Sequence, residues 1–498
     1  MKLNRASGIL LHPTSLPGPD GIGDLGLYAY KWVDFLKSSG CKLWQVLPLG
    51  PTGFGDSPYQ CFSSFAGNPN LISPSVLLDQ GLLNHSDLSD RPQFPEEEVN
   101  YGTVIEWKHK VLRRAYQNFI GNQESTLHNQ FKEFKQIQSE WLDDYALFMA
   151  IKNQQGNSAW IEWPEPLRFR DSQSLSNFKD TKQEELDYHA FLQFTFNDQW
   201  QSLHNYANQS GVIIIGDIPI FVAYDSADVW NNKALFCLDQ EGYPTVVAGV
   251  PPDYFSSTGQ LWGNPLYNWA VHEEQAFSWW LRRLQAVFHQ VDTVRLDHFR
   301  GFDTYWEIPY GKPTAIEGRW VEGPGESFFR AVKEKLGELP FIAEDLGIIT
   351  KSVTALRDAF NLPGMKILQF AFSTGSDHVF LPHNYPEHCV AYTGTHDNNT
   401  SVGWYQTASQ EEQDFCRRYL ARSGQDIAWS MIRILWQSVA KWTLAPMQDL
   451  LSLGDWARMN YPGTETGNWR WRLHPEALTE DSARRMYDMN YIYGRLSK

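Results

Sequence analysis

The sequence predicts an α/β fold, a (β/α)8 TIM barrel, on three observations. Eight short apolar runs recur along the 498 residues, amphipathic stretches lie between most of them, and three acids, Asp297, Glu344 and Asp397, each close a run that feeds a loop. Parallel strands covered on both faces read as continuous apolar runs rather than as alternating ones. Strands alternating with helices close into a barrel whose strand ends surround one mouth.

The first run is G-I-L-L-H at 8–12. Gly21-Ile22-Gly23-Asp24-Leu25-Gly26 then matches a dinucleotide fingerprint, but His12 to Pro17 separates it from the strand. The next strand also ends without an acid for a ribose hydroxyl, so the glycines read as an extended loop. An amphipathic stretch from Tyr28 to Lys37 leads to the second run, 42–49.

The third run, 211–218, lies far beyond what one βα unit needs, which makes 52–205 an insertion. Three long helices are expected within it. One carries Trp107, Val111, Leu112, Tyr116 and Phe119; a second carries Phe131, Phe134, Trp141, Tyr145 and Phe148; a third follows Tyr188, Phe191, Leu192 and Leu203. Apolar residues at three- and four-residue steps make this a largely helical subdomain beside the barrel. A second insertion, 221–275, is rich in Gly, Pro and aromatics without clear periodicity, and reads as lid and substrate loops over the carboxyl-end face. An amphipathic stretch from Phe277 to Phe288 precedes the fourth run, 292–297, and the last four follow at 340–345, 365–372, 389–395 and 443–449. The whole, 1–498, reads as a single catalytic barrel.

A net charge of −16 argues against nucleic acid, which is held by clustered Lys and Arg. The 21 Trp, 22 Tyr and 29 Phe supply flat faces suited to sugar rings, although most will fill the core. Cys41, Cys61, Cys237, Cys389 and Cys416 are odd in number and scattered, which fits a reducing compartment. With no signal peptide or membrane-length apolar run, a cytoplasmic protein is expected.

Asp297 ends V-R-L-D, Glu344 stands in A-E-D-L-G and Asp397 in T-H-D-N-N, at comparable steps along the chain. Three carboxylates at one barrel mouth point to acid/base and nucleophile chemistry. Glycoside cleavage is the reaction that uses such a set: one attacks the anomeric carbon and a protonated one serves the leaving oxygen. A third can hold ring hydroxyls as charge develops. Arg295 shares a strand face with Asp297 and is placed to keep it charged. Glu344 and Asp345 are adjacent, so one of the two is expected to face the mouth. His298 and His396, each beside an aspartate, lack the partners of a metal site and read as donors to sugar hydroxyls or carboxylates. No metal and no cofactor is required.

The chain resembles the bacterial-type amylomaltases, 4-α-glucanotransferases of the α-amylase superfamily, nearly end to end. The resemblance rests on S-G-I-L-L-H-P-T-S-L-P at 7–17, G-D-S-P-Y-Q at 55–60, G-D-I-P-I-F-V-A-Y-D-S-A-D-V-W at 216–230, G-V-P-P-D-Y-F-S-S-T-G-Q-L-W-G-N-P at 249–265, V-R-L-D-H-F-R-G-F at 294–302, A-E-D-L-G at 343–347 and T-H-D-N-N at 395–399. It implies Asp297 as nucleophile, Glu344 as general acid/base and Asp397 as transition-state stabiliser. It further implies substrate contacts from Arg295, His298 and His396, a stacking Tyr59, and Gln260 and Trp262 in a mobile loop on the acceptor side. The implied partners are α-1,4-glucan donors and acceptors. The eighth run ends near residue 450, so no separate C-terminal all-β domain is expected, and the tail should close the barrel and line its mouth. Two alternatives stand beside transfer: a retaining α-glucan hydrolase and a non-catalytic α-glucan-binding protein.

Overall fold

The computed structural model describes residues 4–122, 126–252, 256–373 and 375–496. Residues 123–125 of the helical insertion and Asp253, Tyr254 and Phe255 of the expected lid fall outside that description.

Among the described residues, twelve strands follow in chain order. They are β1 (Ala6–Leu10), β2 (Leu43–Gln45), β3 (Ile213–Pro219), β4 (Val246–Val250), β5 (Gln260–Pro265), β6 (Thr293–Asp297), β7 (Thr304–Pro309), β8 (Arg319–Glu322), β9 (Phe341–Ala343), β10 (Gly364–Ile367), β11 (Cys389–Tyr392) and β12 (Trp442–Pro446). Eight of them form a closed parallel barrel in the order β1-β12-β11-β10-β9-β6-β3-β2, one for each apolar run. The two ends of the sheet meet where Ala6 to Leu10 pair with Trp442 to Pro446.

The barrel interior is filled by Leu43, Ile215, Ile342, Met365, Ile367, Val390, Tyr392 and Leu444. Their strand neighbours, Trp44, Ile214, Ala343, Ala391 and Ala445, belong to a second core between strands and helices. Successive side chains point to opposite faces. Both faces are buried, which is why most of these strands carry no polar alternation; β6 is the exception, with Thr293, Arg295 and Asp297 alternating with Val294 and Leu296. The observed strands are shorter than the apolar runs because the runs continue past the ladder: 368–372 becomes a 3-10 turn and 447–450 a helical turn.

Four strands lie outside the barrel as an antiparallel sheet, β5-β4-β7-β8. The sequence reading expected 221–275 to be irregular, whereas β4 and β5 are ordered strands within it. Gly249, Gly263 and Pro265 hide the alternation, and the pairing register shifts between Val247 and Gly249. The helical insertion also differs in detail. The single helix expected over Phe131 to Phe148 is two, Leu127–Ile137 and Ser139–Gln154, which meet at a non-helical Gln138. The apolar stripe stays in phase across the break, so spacing alone does not reveal it. The third helix, Ser172–Gln209, packs against both the insertion and the helix Leu27–Ser38.

The glycine-rich segment is architectural. The Gly26 amide donates to Asp24 Oδ1 at 2.9 Å as the chain enters helix Leu27–Ser38. A Cβ on Gly23 would lie 2.0 Å from the Pro13 carbonyl oxygen, so the loop folds back on itself there.

The C-terminal helix Glu480–Ile492 latches the barrel through Asn490. Its Oδ1 accepts from Ser7 Oγ at 2.5 Å and from Trp436 Nε1 at 2.8 Å, and its Nδ2 donates to the Ser39 carbonyl at 2.9 Å. Arg495 Nη1 donates to the Ala6 carbonyl at 3.0 Å. Among the described residues, no helix is long and apolar enough to cross a membrane.

Candidate active site

Asp297 is the last residue of β6, Glu344 follows β9 directly, and Asp397 lies in the loop after β11. Parallel strands in a closed barrel bring these ends to one rim, and all three acids line a single cleft of about 920 Å³. Tyr59, Gln260, Trp262, His298 and His396 line the same cleft. Arg295 lies beneath it, 3% exposed at the side chain.

Arg295 organises the floor. Its Nη2 contacts Asp297 Oδ1 at 2.8 Å and Glu344 Oε2 at 3.7 Å, while Nη1 reaches Asp217 Oδ2 at 2.6 Å. Asp217 also accepts from the Tyr59 hydroxyl at 2.9 Å. One guanidinium thus serves three carboxylates, a task for a planar fork rather than a lysine point charge. Asp217 is an acid that the sequence motifs do not single out. The signal was present, because Gly216-Asp217-Ile218-Pro219 closes the third apolar run just as Asp297 closes the fourth.

Past Asp297 the backbone turns sharply. His298 adopts a left-handed conformation (φ 52°), uncommon for a residue with a side chain. The turn aims its amide at Glu344 Oε2, which accepts that hydrogen bond. Burial pushes the Glu344 carboxyl up to about 8; Arg295 opposes this and the charge of Asp297 adds to it. Burial, with Arg300 nearby, drives His298 down to about 3, so its imidazole is neutral.

Asp397 is held differently. Its Oδ1 accepts from Asn460 Nδ2 at 2.7 Å, its Oδ2 lies 3.3 Å from His396 Nε2, and its carbonyl accepts from Arg458 at 2.6 Å. Burial works to raise it. His396, Asn460 and Arg295 together outweigh that and hold the carboxyl well below the usual range. Asn460 and Arg458 were not singled out from sequence, as neither follows a strand. They arrive on the tail, whose Pro462, Gly463, Thr464, Asn468 and Trp469 also line the cleft.

Aromatic rings frame the opening. Tyr59 stacks on His396 with centroids 5.1 Å apart, and Trp469 tilts against both. On the other side the Trp262 ring meets His298 edge-on at 4.8 Å, and Trp262 Nε1 donates to Gln260 Oε1 at 3.1 Å. Gln260 and Trp262 sit on β5, so the side sheet carries them to the cleft.

A family model described as 4-alpha-glucanotransferase, from glycoside hydrolase family 77, matches residues 11–479. The chain belongs to the 4-alpha-glucanotransferase family. The 4-alpha-glucanotransferase of Thermus thermophilus is 52% identical, covering 100% of both chains. That of Synechocystis is 49% identical over 99% of this chain and 98% of its own. Among solved structures, an amylomaltase from Streptococcus agalactiae in complex with acarbose superposes with a TM-score of 0.96 at 42% identity, covering 99% of this chain and 100% of that one. As a 4-α-glucanotransferase, the chain transfers segments of α-1,4-glucan between saccharides.

Proposed function

We propose that this glucanotransferase works by a retaining double displacement in which Asp297 is the nucleophile, Glu344 the general acid/base and Asp397 the stabiliser of the transition state. The observation that carries this reading is Arg295, in contact with both Asp297 and Glu344. The two contacted oxygens lie no farther apart than the sum of its 2.8 Å and 3.7 Å legs. That favours the close pair of a retaining enzyme, about 5–5.5 Å, over the wider inverting pair of about 6.5–9.5 Å.

In the first step Asp297 attacks the anomeric carbon. The glycosidic C–O bond breaks, its electron pair stays on the leaving oxygen, and the Glu344 proton moves to that oxygen. A glycosyl-aspartate remains. In the second step the acceptor 4-hydroxyl returns a proton to Glu344 and attacks the same carbon, releasing Asp297. The elevation of Glu344 supports a proton held at neutral pH. A charged Asp397 stabilises the positive charge that grows on the ring. His298 Nε2 and His396 Nδ1 are buried with no hydrogen-bond partner among the described residues, which leaves each available to a ring hydroxyl. Tyr59 stacks on the sugar, and Gln260 and Trp262 guide the acceptor.

We assign 1–498 to one catalytic barrel, with 52–205 as a flanking buttress and 221–275 as the lid and substrate loops. The substrates are α-1,4-glucans on both donor and acceptor sides. The net charge of −16 disfavours nucleic acid as a partner, and five unpaired cysteines fit the cytoplasm.

Incubation with maltotriose tests transfer directly. Glucose plus a ladder of longer maltooligosaccharides is expected. Products no longer than the substrate would instead indicate the hydrolase.

A further inference from the structure

Glu344 occupies a poorly supported stretch of backbone. β9 is only three residues long, and its ladder to β10 has one pair, Ala343 opposite Gly364. The Ala343 amide donates to the Pro363 carbonyl at 2.9 Å, and the Glu344 amide donates to the Leu296 carbonyl at 3.2 Å on the other side. Beyond Glu344 the main chain leaves the sheet. Pairing should end there, one residue too early to fix a side chain that must present a proton.

The Asp345 side chain takes over. Its Oδ1 accepts from the Met365 amide at 2.7 Å, on the residue after Gly364. A carboxylate thereby supplies the next rung of the β9–β10 ladder. Oδ2 is ion-paired with Arg357, which projects from the last turn of helix Lys351–Ala359. The Asp345 side chain is 6% exposed and does not line the cleft. Gly364 makes the arrangement possible. A Cβ there would lie 2.3 Å from Asp345 Oδ2 and 2.7 Å from Oδ1, so the carboxylate occupies the space that any other residue would fill.

The geometry points to Asp345 as a positioning residue for proton transfer: clamped between the Met365 amide and Arg357, it fixes the backbone that presents Glu344 to the leaving oxygen. The inference rests on Glu344 being the general acid. Asp345 touches no reacting atom and acts only through its neighbour. Loss of the clamp should therefore harm the step that needs a proton and spare the one that does not, since small misplacements of a catalytic group cost on the order of 10²-fold.

Two donors separate these steps. Maltotriose needs a proton on its leaving oxygen; α-maltosyl fluoride releases fluoride without one. For Asp345→Asn, turnover of maltotriose should fall about 10²-fold, while the first-turnover burst of fluoride stays close to the parent rate. Arg357→Gln removes only the outer half of the clamp, carries the test if Asp345→Asn does not fold, and should show the same split to a smaller degree. Equal losses on both donors in these variants, or no loss on maltotriose, would overturn the proposal. Glu344→Gln is the control for its footing. That variant should show the largest split; if it loses both donors alike, the acid assignment fails, and the role of Asp345 with it.

Discussion

Glu344 sits in the folded protein with its pKa at about 8, against about 4.5 in an unfolded chain, because burial penalises its charge. A carboxyl raised in this way favours the fold fully below pH 4.5, and that contribution is lost as pH rises through 8. Glu344→Gln, which never charges, should therefore melt higher than the parent at pH 9, with the gap closing below pH 4.5; thermal melts across that range check this. The same group should set an alkaline limb near pH 8 in kcat/KM, the parameter that reports ionisation of the free enzyme. Asp297→Ala should lose at least about 10³-fold in transfer with the fold retained. Substantial turnover in that variant would remove it as nucleophile. The three acids and both histidines that line the cleft were legible in the sequence because each stands at or just past the end of an apolar run. Asp217, the buried acid that shares Arg295, was equally placed. Its signal is weaker because it has no flanking histidine or second polar residue.

At the scale of elements, the proposed mechanism gives the side sheet the task of sorting water from sugar at the glycosyl-enzyme. β5 carries the Trp262 ring to 4.8 Å from that of His298, and β7 begins immediately after the turn that follows Asp297. A wall built on paired strands holds its side chains more firmly than a free loop does. It can exclude water while leaving room for a sugar hydroxyl. Trp262→Ala is expected to lower transfer more than hydrolysis, read as the ratio of oligosaccharide ladder to new reducing ends; an unchanged ratio would count against this role. The sheet itself escaped sequence reading. Its strands carry glycine and proline at positions that break the two-residue period, and the pairing that joins its two halves, β4 with β7, links strands far apart in the chain. The eight barrel strands had no such ambiguity. Both their faces are buried, so their runs are predominantly apolar, although that same continuity blurred where each strand stops.

For the whole molecule, closure is the dominant fact. β1 and β12 seal the sheet, and Asn490 ties β1, the end of the first helix and the helix Ile427–Gln437 together. Asn490→Ala would strand the buried Trp436 Nε1 donor and leave Ser7 Oγ only the weak contact to Cys41 Sγ at 3.9 Å, and should destabilise by about 2 kcal/mol, measured as a lowered melting temperature at unchanged kcat. The barrel and its eight-fold count were legible because they repeat. The tail was foreseen as closing the barrel, but the hold of Asn460 and Arg458 on Asp397 was not, since it joins positions 63 and 61 residues apart with no shared pattern. Such contacts are a product of the closed shape and leave no local trace.

The cleft draws Tyr59 from early in the chain and Asn460 from late in it, around a seam between the first and the last barrel strands. On a ribosome, Asp297 and Glu344 emerge long before Trp442 to Pro446 exist to meet β1. Until then the sheet has two unpaired edges, a state prone to joining the wrong partner. Synthesis therefore confers catalytic competence in one late event rather than by degrees. For most of its time at the ribosome the nascent chain depends on whatever shields those edges.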